Sequence, residues 1–197
     1  GALEAAVKGN VTGFGIQAGF DTSFSLASEN SRELEGLLGR TVPDVGRFQI
    51  SGFATRKLGL DQPITGSARL VSEQLDSLFA EGELRKPWRN GSSIRLMLES
   101  SSLSKVAAFA SFASPYLEST WAEATVILNP KEIILEDLNL HAGRNNLTGT
   151  IVYHTAGEDD DRAKVSGQLN SQYLNLNDLF PPRARQYLFS IEPLPVD

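Results

Sequence analysis

The sequence predicts a mainly β fold: an antiparallel, curved meander sheet, forming a groove or an open sandwich, with several short helices and repeated strand-turn-strand-helix units. Three observations carry this reading. Apolar residues recur at every second position over short runs, turn-forming residues separate the runs, and brief leucine stripes interrupt them.

Taken in chain order, Phe48 and Ile50 alternate with Gln49 and Ser51, and Ile94, Leu96 and Leu98 share one parity. Val126-Ile127-Leu128 and Ile133-Ile134-Leu135 are continuous apolar runs, and Leu138 and Leu140 alternate with Asn139 and His141. Leu147, Ile151 and Tyr153 share a parity, as do Val165, Leu169 and Tyr173. Side chains of one parity face one side of a sheet, so these runs read as half-buried strands. Asn90-Gly91, Asn129-Pro130, Gly143-Arg144-Asn145-Asn146 and the acidic Gly157–Asp161 stretch read as the turns between them.

The helical signals are short. Asn30 and Glu33 have the spacing of a capping box, Leu34, Leu37 and Leu38 form a stripe, and Gly39 can end the helix. Similar stripes occur at Leu75–Phe79, at Leu103–Ala110 before Pro115, and at Leu176–Phe180 before Pro181-Pro182. The helices at Leu34–Leu38, Leu75–Phe79 and Leu176–Phe180 are marginal alone at this length, and their polar face carries Glu33, Glu35, Asp76, Asn177 and Asp178. They are therefore expected to pack at the ends of the sheet and not on a membrane.

The chain is expected to be a single β-rich module over residues 1–197 with an internal repeat, approximately 48–80 and 145–181. Ser51-Gly52, Thr65-Gly66 and Leu75–Phe79 match Thr148-Gly149, Ser166-Gly167 and Leu176–Phe180, and the longer second spacing is taken up by the acidic insertion. With 197 residues, 41% hydrophobic, the material for a sizeable core is present. The first residues lack both an initiator Met and the pattern of a signal peptide, so the chain is expected to be part of a longer protein. No run approaches the length that spans a bilayer, which places any membrane anchor outside this chain.

Composition limits the chemistry. The net charge is −6 without a basic block, which argues against nucleic acid as a partner. There is no cysteine, so thiolate catalysis and Cys-ligated zinc are excluded. The two histidines, His141 and His154, stand in no metal-binding frame and read as solvent-facing strand residues, so no metal or other cofactor is expected. The acidic run lacks the spacing of a calcium loop. Gly13-Phe14-Gly15 with Gly19 sits in a β-like stretch, not at a strand-to-helix turn, and reads as a bulge or close packing. No nucleophile motif is present, so no catalytic residue is predicted. The apolar strand positions admit two readings: the core of a closed sandwich, or one side of an open sheet that holds acyl chains.

The order of several motifs resembles the AsmA-like family of bacterial envelope proteins. Phe24-Ser25-Leu26 leads to the Leu34–Leu38 helix, then to Val42–Gly46 with Pro43, then to Phe48-Gln49-Ile50-Ser51-Gly52. Later come Leu135–Leu140, Gly143–Gly149, Val165–Ser171 and Leu174–Pro182. The likeness runs from about Val11 to Pro182 and is weakest over 81–121. It implies a periplasmic β body with an apolar concave face, anchored in the inner membrane, that supports phospholipid transport or outer-membrane assembly.

The function expected is therefore non-catalytic binding or conduction of phospholipid or other acyl-chain lipid. The expected groove lining is Phe48, Ile50, Ile94, Leu96, Leu98, Val126, Leu128, Leu138, Leu140, Ile151, Val165 and Leu169. The alternative is a scaffolding module that offers an exposed edge strand to an envelope partner protein.

Overall fold

The computed structural model describes residues 3–39, 42, 44–59, 61–86, 91–109, 118–155 and 163–175. Ten strands form one open antiparallel sheet in which every strand pairs with its neighbours in sequence. They are β1 (Glu4–Thr12), β2 (Gly19–Ser28), β3 (Phe48–Arg56), β4 (Ile64–Ser72) and β5 (Asp76–Leu84). β6 (Ser92–Ser100), β7 (Thr120–Leu128), β8 (Glu132–Ala142), β9 (Asn145–His154) and β10 (Lys164–Asn170) follow. Most strands are nine or ten residues long. At the usual rise and strand spacing the sheet is about 30 Å tall and about 45 Å wide.

Connections alternate between the two ends of the sheet. One end holds hairpin loops. The other holds two tight turns and two short helices, α1 (Glu33–Leu38) and α2 (Leu103–Phe109). α1 forms as the leucine stripe predicts, and Gly39 ends it in the left-handed region with φ 65°. The Ser28 hydroxyl is inserted into the expected capping box. It accepts the Asn30 N–H at 3.1 Å and donates to the Glu33 carboxylate at 2.8 Å, while the Asn30 side chain accepts the Arg32 N–H at 2.9 Å.

α1 packs over one end of the sheet. Leu34, Val45 and Phe48 form a small buried cluster, with Leu26, Ile50 and Leu70 against it. The buried Ser31 hydroxyl accepts the Val45 N–H at 3.1 Å and fixes the loop that completes this cluster. At α2, Leu103 and Ala107 are buried. These clusters and the buried Leu75 contain most of the fully buried apolar residues. Among the described residues, no second layer covers the middle of the sheet.

The helix expected at Leu75–Phe79 is a turn followed by β5. The Leu75 N–H is taken by the Ser72 hydroxyl at 3.0 Å, and Asp76 enters the strand at φ 63°. Leu78 and Phe79 then point to opposite faces, as period two requires. Three apolar residues at 75, 78 and 79 suit a helix or a buried turn with a strand, and position 76 decides for the turn. The stripe Leu176–Phe180, Pro43, Pro115 and the acidic run Glu158–Asp161 lie outside the described residues.

The two glycine-bearing hairpins of the expected repeat share one register. Gly52 faces Ala68 and Gly66 faces Ala54, while Gly149 faces Leu169 and Gly167 faces Ile151. In the first, the segment that follows is a strand, not a helix.

A polar lock ties α2 to the sheet. The Asp76 carboxylate accepts the Lys105 ammonium at 2.7 Å, the Ser101 N–H and the Ser100 hydroxyl at 3.3 Å. Burial pushes this carboxyl up, but the Lys105 hydrogen bond and charge and the Ser101 bonds outweigh burial and hold it at about 2, below its ordinary 3.8. On acidification the unfolded chain therefore takes up this proton before the folded one. The stabilisation is complete above about pH 4 and is lost as the pH falls towards 2. Asp76→Asn, which tolerates a left-handed backbone, should melt below the wild type at neutral pH, and the two melting temperatures should converge towards pH 2. Phe48→Ala should destabilise by about 3–5 kcal/mol in urea unfolding, as for other buried aromatics, whereas Leu78→Ala on the half-open sheet should cost clearly less.

Candidate functional site

Cross-strand register aligns side chains into rows, and each row belongs to one face of the sheet. One row runs Leu26, Ile50, Leu70, Leu78, Leu98, Ala122, Leu140, Leu147. The next runs Phe24, Gly52, Ala68, Ala80, Leu96, Ala124. A third runs Thr22, Ala54, Gly66, Gly82, Ile94, Val126, Leu135, Ile151, Gly167. All three lie on the same face, which is apolar from β2 to β10.

All twelve residues of the expected lining fall on this face. Ile94, Leu96 and Leu98 of β6, Val126 and Leu128 of β7, Leu138 and Leu140 of β8, and Ile151 of β9 are half-buried. Val165 and Leu169 of β10 are exposed, Val165 by 71%. Ile50 packs against the α1 cluster, and Phe48 is sealed beneath it at 2% exposure. Phe48 therefore belongs to the core at the end of the sheet and not to an open lining.

The continuous runs are resolved the same way. Ile127 and Ile134 pair with each other on the opposite face, while Val126 and Leu135 pair on the apolar one. In β8 the shared face survives a change of parity because of a bulge at Glu136-Asp137, where Asp137 has φ 52°. Leu135 and Leu138 thus lie on one side despite being three residues apart.

Sequence parity missed Phe24, Ile64, Leu70, Leu78, Leu84 and Leu135 as members of this face. It also missed the small residues between them. Ala54, Gly66, Ala68, Ala80 and Gly82 floor a cavity of about 220 Å³ bordered by Phe24, Ile64, Leu84 and Ile94. Their signal was the spacing Gly52-x-Ala54 and Gly66-x-Ala68, which has the period of a strand without its bulk.

The glycines on this face admit no side chain. A Cβ on Gly52, Gly66, Gly82, Gly149 or Gly167 would lie 2.0–2.5 Å from a carbonyl oxygen of the adjacent strand. At each of these glycines, in β3, β4, β5, β9 and β10, the backbone of an adjacent strand takes the place of a side chain.

The opposite face is mainly polar. Arg95 pairs with Glu81 on one neighbouring strand, at 3.7 Å, and with Glu123 on the other. His154 faces Glu132 at 3.6 Å, and His141 stacks at a tilt on Trp121. Exposed pairs of this kind add little stability, but they identify the side that faces water. Among the described residues, no three His, Asp or Glu side chains converge to hold a metal ion.

Gly66→Val should destabilise by about 3 kcal/mol in urea unfolding, because the adjacent strand must move. Thr65→Val, one residue away on the water-facing side, should stay within about 0.5 kcal/mol of the wild type. Equal losses at both positions would remove the glycine row from any role in the shape of this face. Compared with known proteins, the chain matches no protein-family model, no curated protein and no solved structure.

Proposed function

We propose that this chain is a non-catalytic lipid-handling module whose apolar face holds acyl chains. The observation that carries the reading is a single sheet with one face apolar across nine strands and, among the described residues, no protein layer over its middle. Half-buried apolar side chains, among them Leu70, Leu78, Leu96, Val126, Leu140 and Ile151, continue across it from strand to strand. With α1 over one end, the half-buried side chains of the rest leave apolar surface that a ligand can cover. A ligand without polar requirements suffices, since each methylene moved from water to an apolar wall contributes about 0.8 kcal/mol.

The glycine rows support a concave shape for the same face. A regular sheet has room for a Cβ at each position, and here a carbonyl of an adjacent strand takes that room at each of these glycines. Curling towards the apolar face turns it into a groove along the strand stack, with the cavity over Gly66 and Gly82 as its narrowest floor. The AsmA-like resemblance supports a periplasmic module, part of a protein anchored in the inner membrane by a segment outside this chain. Its role is to support phospholipid movement or outer-membrane assembly.

A second reading is favoured by the two edges. Every residue of β1 and of β10 is exposed, and among the described residues neither outer edge has a strand beside it. Either edge is free to take a strand from an envelope partner protein. This use of the edges is compatible with a lipid on the face.

Native mass spectrometry of protein purified from bacteria tests the lipid reading. The wild type should carry co-purified phospholipid. Leu96→Glu and Val126→Glu should lose it while keeping the β signature in circular dichroism, because an open face tolerates a charge that a closed core does not. Lipid-free wild type, or unfolding of both variants, would sink the proposal and leave the edge-strand reading.

A further inference from the structure

We propose that the paired hairpin tips at the β1 side of the sheet, carrying Phe14, Ile16 and Leu58, insert into the interfacial layer of a lipid bilayer. Phe14 is 97% exposed, Ile16 72% and Leu58 59%. Exposure of single apolar residues is ordinary, but three large ones on two adjoining tips are not. The tips are built and joined to each other. Gly13 and Gly15 turn the β1–β2 connection with φ 83° and 68°, and the Ala18 N–H donates to the Gly15 carbonyl at 3.1 Å. The Gly59 N–H of the second tip donates to the Gln17 carbonyl of the first at 3.0 Å. The buried Arg56 braces the second tip from within, donating to the carbonyls of Gly59 at 2.8 Å and Gln62 at 3.1 Å.

The occupant follows from shape and charge. A hairpin tip projects, so a flat protein surface cannot cover it, whereas an interfacial lipid layer closes around it. The flanking exposed charges are one cation, Lys57, and one anion, Asp61, so no basic patch directs the tip to anionic headgroups. The attraction is apolar insertion. The tips also continue directly into Val11 and Phe20, which face each other at the end of the apolar face. This inference thus extends the lipid reading by placing one end of that face at a membrane.

The test is flotation of the full chain with vesicles of phosphatidylcholine and phosphatidylethanolamine. The wild type should float, and the triple variant Phe14→Ser/Ile16→Ser/Leu58→Ser should bind about fivefold less or weaker, with its melting temperature unchanged. Raising salt or adding anionic lipid should change wild-type binding little. Three outcomes would overturn the inference. The wild type fails to float, the triple variant floats equally well, or binding appears only with anionic lipid and vanishes in salt. Light scattering supplies a fourth: a wild-type dimer that the triple variant dissolves would make the tips a protein interface. Native mass spectrometry on the same samples separates the two proposals. Lipid on the wild type without flotation removes the tip inference alone, and flotation by wild-type protein that carries no lipid removes only the reading of the face.

Discussion

The ladder of antiparallel hydrogen bonds between consecutive strands holds this molecule together, because almost nothing else can. In a two-layer protein, each apolar face is buried on another and the ladder is a secondary contribution. Here the described core is a few residues around Phe48, Leu75 and Leu103 at one end of the sheet. The middle strands are fixed by their neighbours and by rows of half-buried side chains. Each strand makes its main contacts with the strands before and after it, as in a repeat protein, so the order of strands in space repeats their order in the chain.

The strand ends carry what the middle lacks. Ser28, Ser72, Ser100, Thr120 and Asn145 are all buried at the end where the helices sit. Ser28, Ser72 and Ser100 bond to turn backbone or to acids at that end, through Asn30 and Glu33, Leu75, and Asp76. Asn145 accepts the Asn175 N–H, which brings the chain beyond β10 back to the same end. Small hydroxyl and amide side chains satisfy buried backbone groups there at little cost in volume. α1 and α2 close this end. At the other end Phe14, Ile16 and Leu58 stand bare, so the two ends differ in chemistry as well as in shape.

Much of this was legible in the sequence, and the parts that were not share a cause. Period two placed Ile94, Leu96 and Leu98 on one face, and the register aligned them with Val126, Ile151 and Leu169. The turns at Asn129-Pro130 and Gly143-Arg144 also follow from composition. Leu75–Phe79 was misread because three apolar residues fit either period, and the choice fell to Asp76 and its bonds to Ser101 and Lys105, contacts distant in sequence. The bulge at Glu136-Asp137 hid for a similar reason, since it changes parity without a glycine or proline to mark it. Sequence parity left open whether the apolar face is a sandwich core or an open surface. A strand facing a second sheet and a strand on an open face carry the same side chains, and what separates them is that no second layer lies over Leu96 and Val126 among the described residues.

The glycines show which requirement dominates that face. Glycine inside a strand costs stability through backbone entropy and contributes no side chain to packing. A sheet selected only to be stable would fill these positions with valine or isoleucine, as other strands of the same face do at Ile50, Ile94 and Ile151. Instead, glycine or alanine recurs at corresponding sites in β3, β4 and β5, and glycine again in β9 and β10. At the glycines the adjacent carbonyl occupies the space a Cβ would need. In β3, β4 and β5 bulk is retained in the flanking rows and absent between them, which leaves the cavity bordered by Phe24, Ile64, Leu84 and Ile94. Close packing of the chain against itself does not require that arrangement, because no other part of the described chain reaches the floor.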